Sequence, residues 1–267
     1  MPVPLVSGPM GVMTTTAATT TATTAPALRV GSHLNGPRRR ANGGMAAGTF
    51  ATLVPGPAEV RLLRGVPLDR SFEAHPAGEG FEVTDGGRPI ATVVGTDPFV
   101  LHPPVRPSRA QAEAARLAHP LLETRHALSD CVVCGPHRLD GLRITPGPLA
   151  EDLRVLAAPF DPPVSFTEDG VVTARTVWGA LDCVSYPAHA LRETRLALLG
   201  SLEVHRTREI AAHERPIAVG WTLGSGQRSH QTASALLDED GAVIASARAV
   251  WVELRHQRLA GLVGRWL

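Results

Sequence analysis

One acid stands out in this chain. Asp182 lies in an almost wholly apolar stretch, Val171-Val172-Thr173-Ala174-Arg175-Thr176-Val177-Trp178-Gly179-Ala180-Leu181-Asp182-Cys183-Val184-Ser185-Tyr186-Pro187, where Arg175 is the other charged residue. An ionised carboxylate is costly to bury alone. Such an acid is therefore exposed on a narrow polar face, paired, or kept for chemistry. The pair Cys131-x-x-Cys134 invites a zinc reading, with His126 or His137 as further ligands. A structural zinc wants four ligands, usually as two such pairs. Here there is one pair, with Cys183 inside the apolar helix, so no metal and no cofactor are expected. A polar cluster, Gln227-Arg228-Ser229-His230-Gln231, falls in a strand-like stretch. Strand alternation places Ser229 and Gln231 on one face and Arg228 and His230 on the other, and either face could line a pocket mouth. No Gly-x-Ser-x-Gly elbow supports a serine triad. Gly224-Ser225-Gly226 lacks the lysine of a phosphate loop.

The elements that must position these residues read as follows. Asn42 caps a short apolar helix, Met45 to Leu53, and the stretch from Val171 to Pro187 forms a second one. Strand patterns cover Leu28–Leu34, Ala58–Arg64, Ser71–Ala74, Gly80–Thr84 and Pro89–Val94, the last two joined as a hairpin at Asp85-Gly86-Gly87. Pro98 to Pro107 reads as a linker, and Ser108 caps a helix that Pro120 stops. Further strands are expected at Gly141–Thr145, Asp152–Ala157, Leu198–Arg208, Pro216–Leu223, Ser229–Leu237 and Val243–Leu254. The two halves repeat one plan: a short strand, an apolar helix, then antiparallel strands ending in a Gly-turn hairpin. Gly87-Arg88-Pro89-Ile90-Ala91-Thr92 matches Gly241-Ala242-Val243-Ile244-Ala245-Ser246 in wording.

Composition narrows the classes. With 43% hydrophobic residues the 267-residue chain can bury a sizeable core, and a net charge of +1 argues against a general nucleic-acid or membrane-surface binder. There is no lysine at all, which excludes Schiff-base chemistry and points to a high-GC coding bias. Three cysteines make a disulfide framework unexpected and favour a reducing, cytoplasmic compartment. No apolar run is long enough for a transmembrane helix. Residues 1–26 are Thr/Ala/Pro-rich and of low complexity, read as disordered. The expected organisation is an N-terminal half at 27–105, a linker with a helix at 106–124, a C-terminal half at 125–256 and a tail at 257–267.

With these residues, the plan resembles the hotdog-fold acyl-CoA thioesterases. Asn35-Gly36-Pro37…Ala41-Asn42-Gly43-Gly44 is similar to the N-G-P…A-N-G-G segment that opens the family's central helix. Cys131-Val132-Val133-Cys134-Gly135-Pro136…Gly141-Leu142 is similar to the C-F-x-C-G-P…G-L segment of the phenylacetate-type branch, a segment that needs no metal there. Val177-Trp178-Gly179-Ala180-Leu181-Asp182 is similar to its acid-bearing helix. The likeness spans roughly 28–254. It implies an α+β double hotdog, with two central helices each wrapped by a long antiparallel sheet. It also implies hydrolysis of an acyl-CoA or another acyl thioester, with no nucleic acid or membrane span involved and a homodimer compatible with the fold. On that reading Asp182 is the general base or nucleophile, and Asn42, Gly43 and Gly44 polarise the carbonyl at a helix start. Trp178 would wall the acyl pocket, Arg38 and Arg39 would meet coenzyme A phosphates, and Gln231 would line the pocket mouth. Two departures matter. The His-Gly-Gly that often precedes the acid-bearing helix is replaced by Thr173-Ala174-Arg175-Thr176, and the first helix carries no acid. One composite site per chain is therefore expected. A non-catalytic acyl-binding protein is the alternative. A hydratase or dehydratase ranks below it, because no Asp/His pair precedes or opens either helix.

Overall fold

The computed structural model describes Met1 and residues 28–126 and 128–257. Apart from Met1 the low-complexity segment read at 1–26, and apart from Gln257 the C-terminal tail, lie outside the described residues.

In chain order the N-terminal half contains β1 (Leu28–Arg29), α1 (Gly43–Phe50), β2 (Ala58–Leu62), β3 (Ser71–Ala77), β4 (Gly80–Asp85) and β5 (Arg88–Gly95). Helix α2 (Arg109–Leu117) follows. The C-terminal half contains β6 (Gly147–Pro148), β7 (Val155–Pro159), β8 (Thr167–Glu168), β9 (Val171–Val172), α3 (Ala174–Val184), α4 (Ala188–Arg192), β10 (Ala197–Arg206), β11 (Ile217–Ser225), β12 (Ser229–Leu237) and β13 (Val243–Glu253). Both expected hairpins form, β4–β5 and β12–β13, and the turn glycines Gly87 and Gly241 take φ of 76° and 78°, where a Cβ would be strained.

One antiparallel sheet of 11 strands runs through both halves in the order β1-β3-β4-β5-β2-β10-β13-β12-β11-β7-β6. Read outward from the seam, both halves begin with the strand after the central helix and then the last, third and second of the strands that follow it. Beyond these the N-terminal half ends in β1 and the C-terminal half in β7 and then β6, while β8 and β9 pair apart from this sheet. The halves meet where β2 pairs with β10, setting Val60 against Leu202 and Ala58 against Val204. All four are buried, so apolar packing reinforces the backbone ladder at the seam.

Helices α1 and α3 pack on each other and on the sheet. Alternation sorts the strand residues. Leu236, Ala218 and Ala158 point into the large core shared with α1 and α3, whereas Leu237, Val219, Ala157 and Val155 point to the other face. Ala112 and Ala115 of α2 cover that second face. This explains why β7 is buried along its whole length and reads as a continuous apolar run. It also shows that the helix placed in a linker by sequence is a layer of the C-terminal half.

Four local expectations are corrected. The strand expected at Leu28–Leu34 stops at Arg29, and Ser32–Leu34 is a 3-10 turn whose Leu34 N–H bonds the Gly31 carbonyl. Gly141–Thr145 is not a strand: its alternating Leu142 and Ile144 are buried, but their N–H groups bond the carbonyls of Val132 and Val133 in a neighbouring loop. Val171–Val172 is not helical but pairs with Thr167–Glu168, and Thr173 caps α3 by accepting the Thr176 N–H. The strand expected at 152–157 starts only at Val155, because Asp152 closes a turn onto the backbone and side chain of Arg154.

Candidate active site

The site is made where α1 begins and α3 ends. Asn42 has extended backbone, and its Oδ1 accepts the Met45 N–H at 2.9 Å, the expected N-cap. Glycines set how closely the helices approach. A Cβ on Gly44 would stand 2.5 Å from the Cβ of Asp182 and 2.6 Å from the Trp178 carbonyl oxygen. A Cβ on Gly48 would stand 2.7 Å from the Cβ of Trp178 and 2.9 Å from the Cα of Arg175. As α1 advances its neighbours on α3 fall in number, so the helices are antiparallel, and the end of α3 faces the start of α1.

That contact seats Asp182 on the helix start. Its Oδ2 accepts from the Gly44 N–H at 2.8 Å and from Asn42 Nδ2 at 2.9 Å. Its Oδ1 is buried without a hydrogen-bond partner, and the residue is 2% exposed. Burial pushes the carboxyl up to about 7; the Gly44 N–H and the Asn42 amide pull against that, and the nearby Cys131 adds to it. Of the three alternatives open in the sequence, exposure is excluded, and the partners are neutral donors, not an arginine.

Beside the acid lies sulfur. Asn42 Nδ2 is also 3.7 Å from Cys131 Sγ and 3.6 Å from Cys183 Sγ. The neighbouring thiols of Cys134 and Cys183 draw the Cys131 thiol well below the ordinary range, while Cys131 in turn pushes both of theirs up. Spacing gave no hint that Cys183 would join the Cys131–Cys134 pair.

The other expected site residues divide into two groups. Trp178 is buried four residues before Asp182 and lines a cleft of about 260 Å³ with Val177, His205 and Arg206. Arg38 is exposed, pairs with Asp130 at 2.8 Å, and lines a cleft of about 740 Å³ with Asn35, Arg125, His137 and Arg138. That cleft opens on the loop leading into α1. Arg138 clasps this region: it bonds the His33 carbonyl at 2.8 Å, the Asp130 carbonyl at 2.8 Å and the Asn35 side chain. Arg39 is exposed, and its carbonyl is bonded by Arg40. Gln231 is exposed on β12, and its neighbour His230 is buried on the opposite face. There His230 Nε2 meets Glu253 Oε1 at 2.8 Å, and Arg195 pairs with the other oxygen of Glu253. Asn42, Gly43, Gly44, Trp178 and Asp182 are thus brought together, while Arg38, Arg39 and Gln231 make no hydrogen bond to that group among the described residues.

Sequence reading missed Leu199. It lies beside a bulge in β10, where the register with β13 shifts between Leu199 and Ser201, and covers Gly43: a Cβ there would meet Leu199 Cδ2 at 2.9 Å. A lone leucine in an apolar strand carries no signal of such a role.

No protein-family model and no curated protein sequence matches the chain. Solved structures do. The tesB protein of Mycobacterium avium subsp. paratuberculosis superposes with a TM-score of 0.53 at 11% identity, over 82% of this chain and 89% of that one. A putative thioesterase II from Thermobifida fusca gives 0.51 at 14% identity, over 81% and 88%. With a large antiparallel sheet packed on central helices and neighbours that span most of its length, the chain has the hotdog fold.

Proposed function

We propose that the chain is a hydrolase of acyl thioesters, acyl-CoA first among them, built as a double hotdog whose fused halves assemble one site. The observation that carries this reading is the seating of Asp182, from the helix of one half, on the Gly44 N–H at the start of the other half's helix. Thioester hydrolysis needs a polarised carbonyl and an activated water. The start of α1 supplies backbone N–H groups and a partial positive charge. A carboxyl poised near 7 suits a general base at neutral pH.

In the proposed cycle the acyl group displaces Leu199 from Gly43, and the thioester oxygen takes the Gly43 N–H at the start of α1, while the Gly44 N–H stays on Asp182 and the Asn42 N–H on the Leu34 carbonyl. Asp182 then accepts a proton from the water that adds to the carbonyl carbon. Collapse of the tetrahedral adduct breaks the C–S bond, and the thiolate leaves with the proton held by Asp182. Trp178 walls the acyl side. The cleft beside Arg38 and Arg138 takes the phosphate-bearing part of the carrier, where guanidinium forks match phosphate oxygens. A cytoplasmic protein acting without nucleic acid fits this chemistry.

A second reading, a non-catalytic acyl-binding protein, is favoured by the depth of Asp182. Release of free thiol from a panel of acyl-CoAs of increasing chain length separates the two. Turnover with at least one of them is expected. Saturable binding with no thiol release across the panel would establish the second reading instead.

A further inference from the structure

All three cysteines of the chain meet at one point: the sulfur atoms of Cys131, Cys134 and Cys183 lie within 4.8 Å of one another. Two come from the turn after α2 and the third from the last turn of α3. Cys131 and Cys183 are buried and Cys134 is half-buried. The turn winds tightly around the first sulfur. The Gly135 N–H closes on the Cys131 carbonyl at 2.9 Å. A Cβ on Gly135 would stand 2.6 Å from that carbonyl and 2.7 Å from the Ser129 carbonyl, so the turn requires glycine next to the second cysteine. Asn42 Nδ2 adds a donor to Cys131 and Cys183 from a third segment. An apolar core cysteine needs no such convergence. Donors aimed at a sulfur stabilise its thiolate, the form that ligates metal.

We infer that Cys131, Cys134 and Cys183 form a binding site for a thiophilic metal ion, zinc in the first place, held by three thiolates with the fourth position taken by water or another non-protein ligand. Zinc–sulfur bonds of about 2.3 Å set tetrahedral sulfurs roughly 3.8 Å apart, so the cluster closes on an ion with side-chain movements under about 1 Å. Soft thiolates select zinc or copper(I) over magnesium or calcium. Each thiol gives up its proton on binding, so three protons leave per ion, and three thiolates with a dication carry one net negative charge beside the Asn42 amide. The ion would tie the 131–135 turn to the end of α3 next to the start of α1. Its role is to fix the place where the helices meet, and it stands whether or not the chain hydrolyses thioesters.

The test uses the reduced full-length chain, stripped of metal and titrated anaerobically with cobalt(II). A sulfur-to-cobalt charge-transfer band in the near ultraviolet is expected, saturating at one ion per chain and abolished by added zinc. Cys183→Ser and Cys134→Ser should each lose it. Cys134 is half-buried, so its serine variant keeps the fold, which circular dichroism verifies. Protein expressed with added zinc should carry one equivalent and melt at lower temperature after chelation. Absence of the band at saturating cobalt, or a band unchanged in Cys183→Ser, would overturn the assignment, as would recovery of only metal-free chain under reducing conditions.

Discussion

Replacing Gly44 by alanine inserts one methyl group where α1 and α3 touch. That methyl would stand 2.5 Å from the Cβ of Asp182, 2.6 Å from the Trp178 carbonyl and 3.0 Å from the Cα of Gly179. None of these is the free end of a side chain, so relief requires the helices to move apart. Overpacking of this kind costs about 1–3 kcal/mol. The same movement stretches the 2.8 Å bond from the Gly44 N–H to Asp182, and loss of a hydrogen bond to a charged buried group costs about 1.5–3 kcal/mol more. Together the loss is about 2.5–6 kcal/mol, or roughly 10 °C in melting temperature for a domain of this size. Gly43→Ala is the control. Its methyl would meet Leu199 Cδ2 at 2.9 Å and Leu199 Cβ at 3.1 Å; the first is the end of a half-buried side chain that can swing away and the second needs a shift of a few tenths of an ångström, so the loss should be smaller, about 1 kcal/mol. Urea unfolding of both variants measures the contrast. Equal effects, or a Gly44→Ala variant within about 1 kcal/mol of the parent, would refute the claim that this contact sets the position of Asp182.

Other predictions address separate features. Ser108→Ala removes a capping box in which Ser108 Oγ accepts the Gln111 N–H and the Gln111 side chain accepts the Ser108 N–H, and should cost about 1 kcal/mol in chemical denaturation. His119 is held neutral, at about 4, mainly because burial disfavours its charged form, and its Nδ1 accepts the Leu121 N–H. Unfolding returns it to 6.5, so the unfolded chain binds the extra proton, and stability is lost as pH falls from about 6.5 to about 4. His119→Gln should flatten that stretch of the stability–pH curve; an unchanged slope would contradict it. Leu199→Ala should lower KM for long-chain acyl-CoA more than it changes kcat, read from steady-state kinetics.

Much of this architecture was written locally. Asn42, Ser108 and the two Gly-turn hairpins announce themselves because caps and turns depend on residues a few positions apart. The errors came where a pattern admits two solutions. Leu142 and Ile144 alternate as a strand would, yet the partner that satisfies them is the loop at Val132 and Val133, and nothing local distinguishes loop from ladder. Val171 and Val172 continue the apolar run of α3, but Thr173 breaks it by capping, a signal present in the sequence. At the site, resemblance suggested pairing Asp182 with Asn42–Gly44, and the helices do bring them into contact. The meeting of Cys183 with Cys131, and of Leu199 with Gly43, depends on contacts between segments far apart in the chain, which spacing cannot encode.

The central claim is that Asp182 acts as the base of a thioester hydrolase. Its most direct test is kcat of Asp182→Asn on the best acyl-CoA of the panel, followed by thiol release, in protein whose melting temperature is no lower than the parent's. The asparagine keeps the size of the side chain and an oxygen for the Gly44 N–H, but it cannot take a proton from water. A fall of roughly 100- to 10,000-fold in kcat with substrate still bound is predicted. Parent-like turnover by Asp182→Asn would remove the acid from the chemistry and contradict the account.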